Sequence, residues 1–119
     1  MPQDTDIEAE VVPERAAELI AAGAVLIDVR RAYEWDAGRI AGARHIEINE
    51  VAREAETIPT DRPVVFYCRT GSRSSLAAAA FRDAGWDAYN LAGGLVAWVD
   101  RGNELEPEGG EVIAPRPGS

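Results

Sequence analysis

Short apolar runs alternate along the chain with segments of helical periodicity. The runs Val25–Val29 and Val64–Tyr67 are rich in β-branched and aromatic residues, which is typical of strands buried on both faces of a sheet. Further strands are expected at residues 7–12, at His45-Ile46 and near Ala88–Leu91. Helices are expected from Pro13 to Gly23 and at residues 31–36, 50–56, 72–84 and 95–101. This alternation predicts an α/β fold with a small, mostly parallel central sheet and helices on both faces.

The most informative segment is Cys68-Arg69-Thr70-Gly71-Ser72-Arg73-Ser74, which joins a predicted strand to a predicted helix. A thiol at this junction lies where backbone N–H groups converge near the positive end of a helix dipole. Two arginines add positive charge, so the surroundings favour a nucleophilic thiolate. A lone cysteine can also be a small buried hydrophobe. Its polar neighbours are poor partners for packing, and the nucleophile is the preferred interpretation.

Four segments of the chain together resemble the single-domain rhodanese-like proteins over roughly residues 7–102. They are Leu26-Ile27-Asp28-Val29-Arg30, Glu34-Trp35-Asp36-Ala37-Gly38-Arg39-Ile40-Ala41-Gly42-Ala43, the Cys68–Arg73 loop, and Leu91-Ala92-Gly93-Gly94-Leu95-Val96-Ala97-Trp98. Two positions depart from the family pattern, because Arg39 stands where histidine is usual and Glu47 where proline often follows. The resemblance implies the three-layer rhodanese-like fold.

The resemblance also implies a sulfurtransferase. In that scheme the Cys68 thiolate takes a sulfane sulfur from thiosulfate, or from a persulfide or polysulfide donor. It then passes the sulfur to a thiophilic acceptor such as cyanide or a protein thiol, with no metal or organic cofactor. The alternative from another class is a rhodanese-like interaction or sulfur-relay module that is active only with a partner. The intact cysteine loop argues against an inactive module.

The loop residues after Cys68 are the candidates for substrate binding: Arg69, Thr70, Gly71, Ser72 and Arg73. A left-handed Gly71 would let the loop amides point inward. The hydroxyl residues can donate to a thiolate or persulfide, or Ser72 can cap the following helix. Arg69 can instead be a solvated surface charge, and Arg73 can form a salt bridge to an acid such as Glu34 or Asp28.

Asp28 and Arg30 end a predicted strand beside the expected site, on the same side of that strand. They are supporting residues, and the favoured expectation is that they pair with each other or brace the loop backbone. His45 is the only histidine, so a metal site and a Cys-His hydrolase both have little support.

The spacing from Cys68 to Arg73 is Cys-x4-Arg. Related cysteine phosphatases and arsenate reductases carry Cys-x5-Arg, and that count lands here on Ser74, which has no guanidinium group to bind an oxyanion. A phosphatase or arsenate reductase is therefore disfavoured.

The composition limits the kinds of binding partner and the cellular compartment that can be expected. The formal net charge is −9, which argues against nucleic acid and anionic membranes as partners, and all twelve basic residues are arginine. One cysteine excludes an internal disulfide, and Met1–Asp6 lacks the features of a signal peptide, so a reducing cytoplasm is expected. The protein is expected to be a monomer. Residues 1–6 are expected to be a tail. Residues 103–119 are rich in Pro, Gly and Glu and are expected to be a second tail, with a packed extension as the alternative.

Overall fold

The structure is a computed structural model that describes residues 9–116. Its strands are β1 (Glu10–Val11), β2 (Val25–Asp28), β3 (Arg44–His45), β4 (Val64–Tyr67) and β5 (Ala88–Leu91). Its helices are α1 (Pro13–Ala21), α2 (Ala32–Ala37), α3 (Ser72–Asp83) and α4 (Gly94–Asp100), with a 3-10 turn at Ala55–Thr57. The tail predicted at residues 1–6 lies outside the described residues. None of the helices in the described range has both the length and the apolar character that a membrane span requires.

The five strands form one sheet in the order β1-β5-β4-β2-β3, and every pairing of neighbours is parallel. The central strand β4 is buried along its whole length. The carboxyl ends of all strands therefore share one edge of the sheet, and ligands of open parallel sheets bind at that edge. Cys68 directly follows β4 and lies there. The prediction of an α/β fold with a parallel sheet is confirmed.

Hydrophobic side chains fill both sides of the sheet. Within β4, Val64 and Phe66 belong to one cluster, and Val65 and Tyr67 belong to the other, as the alternation of a strand requires. Helix α3 covers the first face, and helices α1 and α4 cover the second. The predicted three layers are therefore present, with the reactive segment between the central strand and the helix that covers one face.

The prediction of a helix at residues 50–56 is wrong. The segment makes short turns and then the 3-10 turn Ala55–Thr57, with Glu54 N–H bonded to Val51 O at 3.2 Å and Thr57 N–H bonded to Glu54 O at 2.9 Å. Only Val51 and Ile58 are buried here, and tight turns place both side chains in the core without a regular helix.

Residues 103–116 pack on the domain, so the packed alternative describes this segment better than an unpacked tail. Arg39 and Glu106 exchange both backbone hydrogen bonds, at 2.8 and 2.7 Å, and Leu105 and Val112 pack against the core on the side of α1 and α4. A Cβ atom on Gly38 would lie 2.7 Å from the backbone of Glu111. Amino-acid composition does not indicate this packing, because it depends on backbone hydrogen bonds and on only two apolar side chains.

Candidate active site

The Cys68 side chain is fully buried, and its Sγ atom accepts hydrogen bonds from two residues further along the same segment. Gly71 N–H lies at 3.1 Å, Ser74 N–H at 3.5 Å and Ser74 Oγ at 3.4 Å. All three groups can stabilise negative charge on the sulfur, and two of them are backbone amides at the amino end of α3. The expected convergence of donors on this thiol is therefore present.

Gly71 makes this arrangement possible. Its φ of 102° lies in the left-handed region, and it occupies the N-cap position of α3. A residue with a side chain is strained in that conformation. The prediction of a left-handed glycine in the middle of the loop is confirmed, and it turns the Gly71 N–H toward the sulfur.

The reactive loop is docked on the start of helix α4 through backbone contacts. Leu95 N–H donates to Cys68 O at 2.9 Å, and Val96 N–H donates to Arg69 O at 3.0 Å. A Cβ atom on Gly94 would lie 2.5 Å from Arg69 O and 2.6 Å from Cys68 O, and Gly94 has a positive φ of 61°. Only glycine permits this approach, so the Gly93-Gly94 pair sets the path of the loop from a distant part of the chain.

Arg73 pairs with Glu34 through both of its terminal nitrogens. Its Nη1 and Nη2 atoms donate to the two carboxylate oxygens of Glu34 at 2.7 and 2.9 Å. Burial alone would raise the pKa of Glu34, but hydrogen bonds from Arg73 and the Arg31 N–H and the charge of Arg73 outweigh it, so the pKa lies below its usual value. The same bonds raise the pKa of Arg73. The salt-bridge alternative is therefore what the structure shows for Arg73.

Asp28 and Arg30 form a second ion pair, which is completely buried. Arg30 Nη2 lies 2.7 Å from Asp28 Oδ2, and Nη2 also donates to Gly38 O at 2.7 Å. Burial would lower the pKa of Arg30, but the hydrogen bonds and charge of Asp28 raise it. The favoured expectation for these two residues, a mutual pair, is confirmed. They brace the strand end next to Cys68.

The other three predicted loop residues differ in their placement. Thr70 and Ser72 are exposed, and Ser72 is the first residue of α3, so it does not take the capping position that was one alternative for it. Arg69 is half-buried, and its Nε atom has no hydrogen-bond partner within the described part of the chain. Unlike Arg73, whose terminal nitrogens donate to Glu34, Arg69 therefore has an N–H group without a hydrogen-bond partner in the described part of the chain.

Two residues of the site were missed from the sequence: Ser74, which contacts the sulfur, and Asn90, which contacts Ser74. Ser74 contacts Sγ and is fully buried, and its Oγ lies 2.5 Å from Oδ1 of Asn90, which is 2% exposed. Ser74 could have been found, since a side chain in the first turn of a helix leans toward the amino end, where Cys68 lies. Asn90 belongs to β5, and only the strand order brings it to the site.

A groove of about 140 Å³ lies beside the reactive loop. Its lining includes Arg73 from α3 and Pro115 from the carboxyl-terminal segment, with Val29, Arg31, Glu47 and Ile48. Tyr33 holds that segment in place, because its hydroxyl accepts a hydrogen bond from Arg116 N at 2.7 Å. Among residues 9–116 no three His, Cys, Asp or Glu side chains are grouped so that they could hold a metal ion.

Comparison with known proteins gives concordant matches. The sequence profile of the family described as "Rhodanese-like domain" matches residues 12–101. The chain is 36% identical over 95 residues to "Thiosulfate sulfurtransferase GlpE" of Pseudomonas aeruginosa, and the match covers 79% of this chain and 86% of GlpE. It is 45% identical over 87 residues to "Probable adenylyltransferase/sulfurtransferase MoeZ" of Mycobacterium tuberculosis, covering 70% of this chain.

Some relatives are longer than the matched region. The match covers only 21% of MoeZ, and it covers 60% of the Bacillus subtilis protein YqhL, which is 42% identical over 76 residues. Among solved structures, a rhodanese-related protein from Thermoplasma volcanium superposes with a TM-score of 0.77 at 25% identity, covering 83% of this chain and 98% of that one. With the profile match, the parallel sheet and the cysteine loop in agreement, this chain belongs to the rhodanese-like domain family.

Proposed function

We propose that this protein is a sulfurtransferase in which Cys68 carries the transferred sulfur as a persulfide. The observation that carries the proposal is the position of Sγ beyond the carboxyl end of β4, with three donors from Gly71 and Ser74 around it. Such donors stabilise an anionic sulfur as an oxyanion hole stabilises an anionic oxygen. The names of GlpE and MoeZ support the same class of reaction.

In the first step the Cys68 thiolate attacks the outer sulfur of thiosulfate or of a persulfide donor. A bond forms between Sγ and that sulfur, and the sulfur–sulfur bond of the donor breaks. Sulfite or a thiolate leaves with the electron pair. Arg69, whose Nε is not engaged, is the residue suited to attract the anionic donor against the overall negative charge of the protein.

In the second step an acceptor, such as cyanide or a protein thiolate, attacks the outer sulfur of the persulfide. The bond between this sulfur and Sγ breaks, and Cys68 leaves as a thiolate with the electron pair. Splitting one transfer into two displacements through a covalent intermediate predicts ping-pong kinetics. The donors around Sγ stabilise the anion both before the first step and at the end of the second.

A phosphatase or arsenate reductase is less well supported than sulfur transfer. Those enzymes need an arginine whose guanidinium binds the oxyanion through two of its N–H groups. Here both terminal nitrogens of Arg73 already donate to Glu34. Cys68 is also fully buried, so a donor that presents one terminal sulfur atom fits the approach better than a bulky aryl phosphate.

A sulfur-relay module is the second candidate. The observation in its favour is that the match to MoeZ covers only 21% of that protein, so a similar domain is there one part of a longer chain. In this version the protein forms the same Cys68 persulfide but transfers the sulfur efficiently only to a protein thiol of a partner.

The test is to incubate the protein with thiosulfate and measure its intact mass under non-reducing conditions. We expect a gain of one sulfur atom that is reversed by cyanide and absent in Cys68→Ala. Steady-state kinetics with cyanide then separate the two candidates, since a relay module forms the persulfide but turns over slowly with a small acceptor. The persulfide hypothesis is rejected if no sulfur is gained from either thiosulfate or a glutathione persulfide donor.

A further inference from the structure

The buried amide of Asn90 connects three parts of the site. Its Oδ1 atom lies 2.5 Å from Ser74 Oγ, and its Nδ2 atom lies 3.1 Å from Gly71 O and 3.0 Å from both carboxylate oxygens of Glu10. Gly71 and Ser74 are the two residues that donate hydrogen bonds to Cys68 Sγ. Asn90 therefore touches both residues that hold the sulfur, without touching the sulfur itself.

The orientation of this amide follows from its partners. Gly71 O and the carboxylate of Glu10 can only accept hydrogen bonds, so the amide nitrogen of Asn90 has to face them. The amide oxygen consequently faces Ser74, and two oxygen atoms 2.5 Å apart require a proton between them. Since the amide oxygen has no proton, the Ser74 hydroxyl supplies it. With this orientation the hydroxyl proton of Ser74 points to Asn90 Oδ1. Ser74 Oγ can then accept a hydrogen bond from the S–H group of a neutral Cys68 thiol.

We infer that Asn90 is a positioning residue which competes with Cys68 Sγ for the hydroxyl proton of Ser74, so that this donor turns to the sulfur only when the sulfur is anionic. The inference deepens the proposed sulfurtransferase function and rests on it for its role in turnover. Ser74, which contacts the reacting atom, is the catalytic residue of the pair.

The two-step reaction needs such a donor at only some stages. Negative charge resides on Sγ in the free thiolate. It moves to the outer sulfur in the persulfide, where Sγ is bonded to two atoms and is neutral. In the persulfide the Ser74 proton turns back to Asn90. When the acceptor attacks the outer sulfur, the electron pair of the breaking bond returns to Sγ, and the hydroxyl turns to stabilise this leaving group.

Charged groups from several elements surround this chain of contacts. Arg73 on α3 is paired with Glu34 of α2. Asp28 of β2 is paired with Arg30, and Glu10 of β1 accepts from Asn90. The variants Ser74→Ala and Asn90→Leu leave these charges unchanged and therefore isolate the hydroxyl.

The experiment measures the titration midpoint of Cys68 from the ultraviolet absorbance of its thiolate, with the spectrum of Cys68→Ala subtracted. This readout needs neither reagent access to the buried sulfur nor sulfur transfer. We expect Ser74→Ala to raise the midpoint by about one pH unit, because one donor to the thiolate is lost. Asn90→Leu removes the competing acceptor and should lower the midpoint by about half a unit. Asn90→Asp offers a stronger acceptor and a negative charge, and should raise it.

The dependence of the Asn90 shifts on Ser74 distinguishes competition for a proton from a merely structural or electrostatic role, because only competition acts through the Ser74 hydroxyl. In the Ser74→Ala background, Asn90→Leu should no longer shift the midpoint. Equal upward shifts in both variants, or a shift by Asn90→Leu that persists without Ser74, overturn the inference. If Asn90→Leu does not fold, Asn90→Asp with and without Ser74 decides, since competition requires a larger rise when Ser74 is present.

Turnover gives a separate readout. In Ser74→Ala the release of persulfide sulfur to cyanide should slow by roughly tenfold, with a smaller effect on persulfide formation, because only release creates a new anion on Sγ. Equal slowing of both steps contradicts the role assigned to Ser74 in turnover. A native protein that forms no persulfide at all rejects the proposed function, while the titration still reports on Asn90 and Ser74.

Discussion

Arg73 and Glu34 are joined by two parallel hydrogen bonds of 2.7 and 2.9 Å, and the carboxylate of Glu34 is completely buried. This pair connects helix α3, which follows the reactive cysteine, to helix α2. Both helices approach the carboxyl edge of the sheet, so the pair holds the two sides of the site together. Arg73 therefore fixes the position of α3 relative to α2.

Removing the charge of Glu34 should destabilise the protein in a pH-dependent way. We expect Glu34→Gln to lower the free energy of unfolding near neutral pH by about 2 kcal/mol, since Arg73 loses a partner that is buried. The folded state lowers the pKa of Glu34, so its contribution is present above the unfolded value of about 4.3 and is lost as pH falls through the folded pKa.

The measurement is urea denaturation of both proteins between neutral and acidic pH. The difference between native and variant should shrink as the pH falls below about 4. Glu47→Gln is the matched control, because Glu47 pairs with the half-exposed Arg31 at 3.3 Å and should cost under about 0.5 kcal/mol. A pH-independent loss in Glu34→Gln would show that its charge is not what stabilises the fold.

Replacing Cys68 should separate chemistry from folding. Cys68→Ser is expected to abolish sulfur transfer, because a serine alkoxide is not accessible near neutral pH. The hydroxyl is compatible with the donors around Sγ, but Cys68 also packs in the core cluster on the α3 side, so a cost of about 1 kcal/mol is expected. Circular dichroism, thermal melting and a thiosulfate–cyanide assay check this. Retained activity would exclude Cys68 as the nucleophile.

The docking of the loop on α4 predicts a strong effect at Gly94. Gly94→Ala places a Cβ atom 2.5 Å from Arg69 O, at a positive φ, and should both destabilise the protein and reduce sulfur transfer by at least about tenfold. Gly102→Ala is the matched control, since Gly102 also has a positive φ, 86°, but nothing lies within 4 Å of its Cβ position. Thermal melting and activity of the two variants isolate the contact from the backbone strain. Equal effects would refute the importance of the contact.

The carboxyl-terminal segment should contribute to stability despite its composition. We expect removal of residues 103–119 to lower the free energy of unfolding by about 2–3 kcal/mol, through loss of the Leu105 and Val112 contacts. Removal of residues 117–119 alone is the control. Leu105→Ala against Leu76→Ala gives a second comparison, because Leu76 is 67% exposed and should cost little. An unchanged melting temperature after the long truncation would mean that the segment adds no stability.

Loop length offers a test of the reaction class. Inserting one glycine between Gly71 and Ser72 creates the Cys-x5-Arg spacing and displaces the Ser74 donors from Sγ, so persulfide formation should fall by at least about tenfold. Inserting one glycine between the exposed residues Asp61 and Arg62 is the control and should leave activity intact. Efficient hydrolysis of an aryl phosphate by the native protein, without a persulfide on Cys68, would favour the phosphatase instead.

The sequence predicted the layers of the fold and the reactive loop because both are local patterns. The buried strand Val64–Tyr67, the turn glycine Gly71 and the following helix are each visible within a few residues. The mutual pair of Asp28 and Arg30 was also predictable, since alternation along one strand places them on one side. Features that arise from neighbouring positions in the chain were therefore accessible to sequence analysis.

The missed features depend on tertiary contacts. Asn90 reaches Ser74 only because β5 pairs with β4, which no local pattern in the sequence indicates. Residues 103–116 have few apolar side chains, but their backbone pairs with Arg39, and a composition argument does not register backbone pairing. Propensity and composition describe the conformation that a segment prefers in isolation. The positions of these segments are instead determined by contacts with residues that are distant in the sequence.

The path of the carboxyl-terminal segment has a consequence for engineering. Pro115 forms part of the groove beside the reactive loop, and Tyr33 holds the backbone at Arg116. A peptide fused directly after Arg116 would therefore start beside the groove that Arg73 and Pro115 line. With a short flexible linker, a cysteine in such a peptide would have an effective concentration on the order of millimolar at this groove. Under the proposed function, such a tethered thiol is expected to accept the sulfur within one molecule and convert the two-substrate transfer into an intramolecular one.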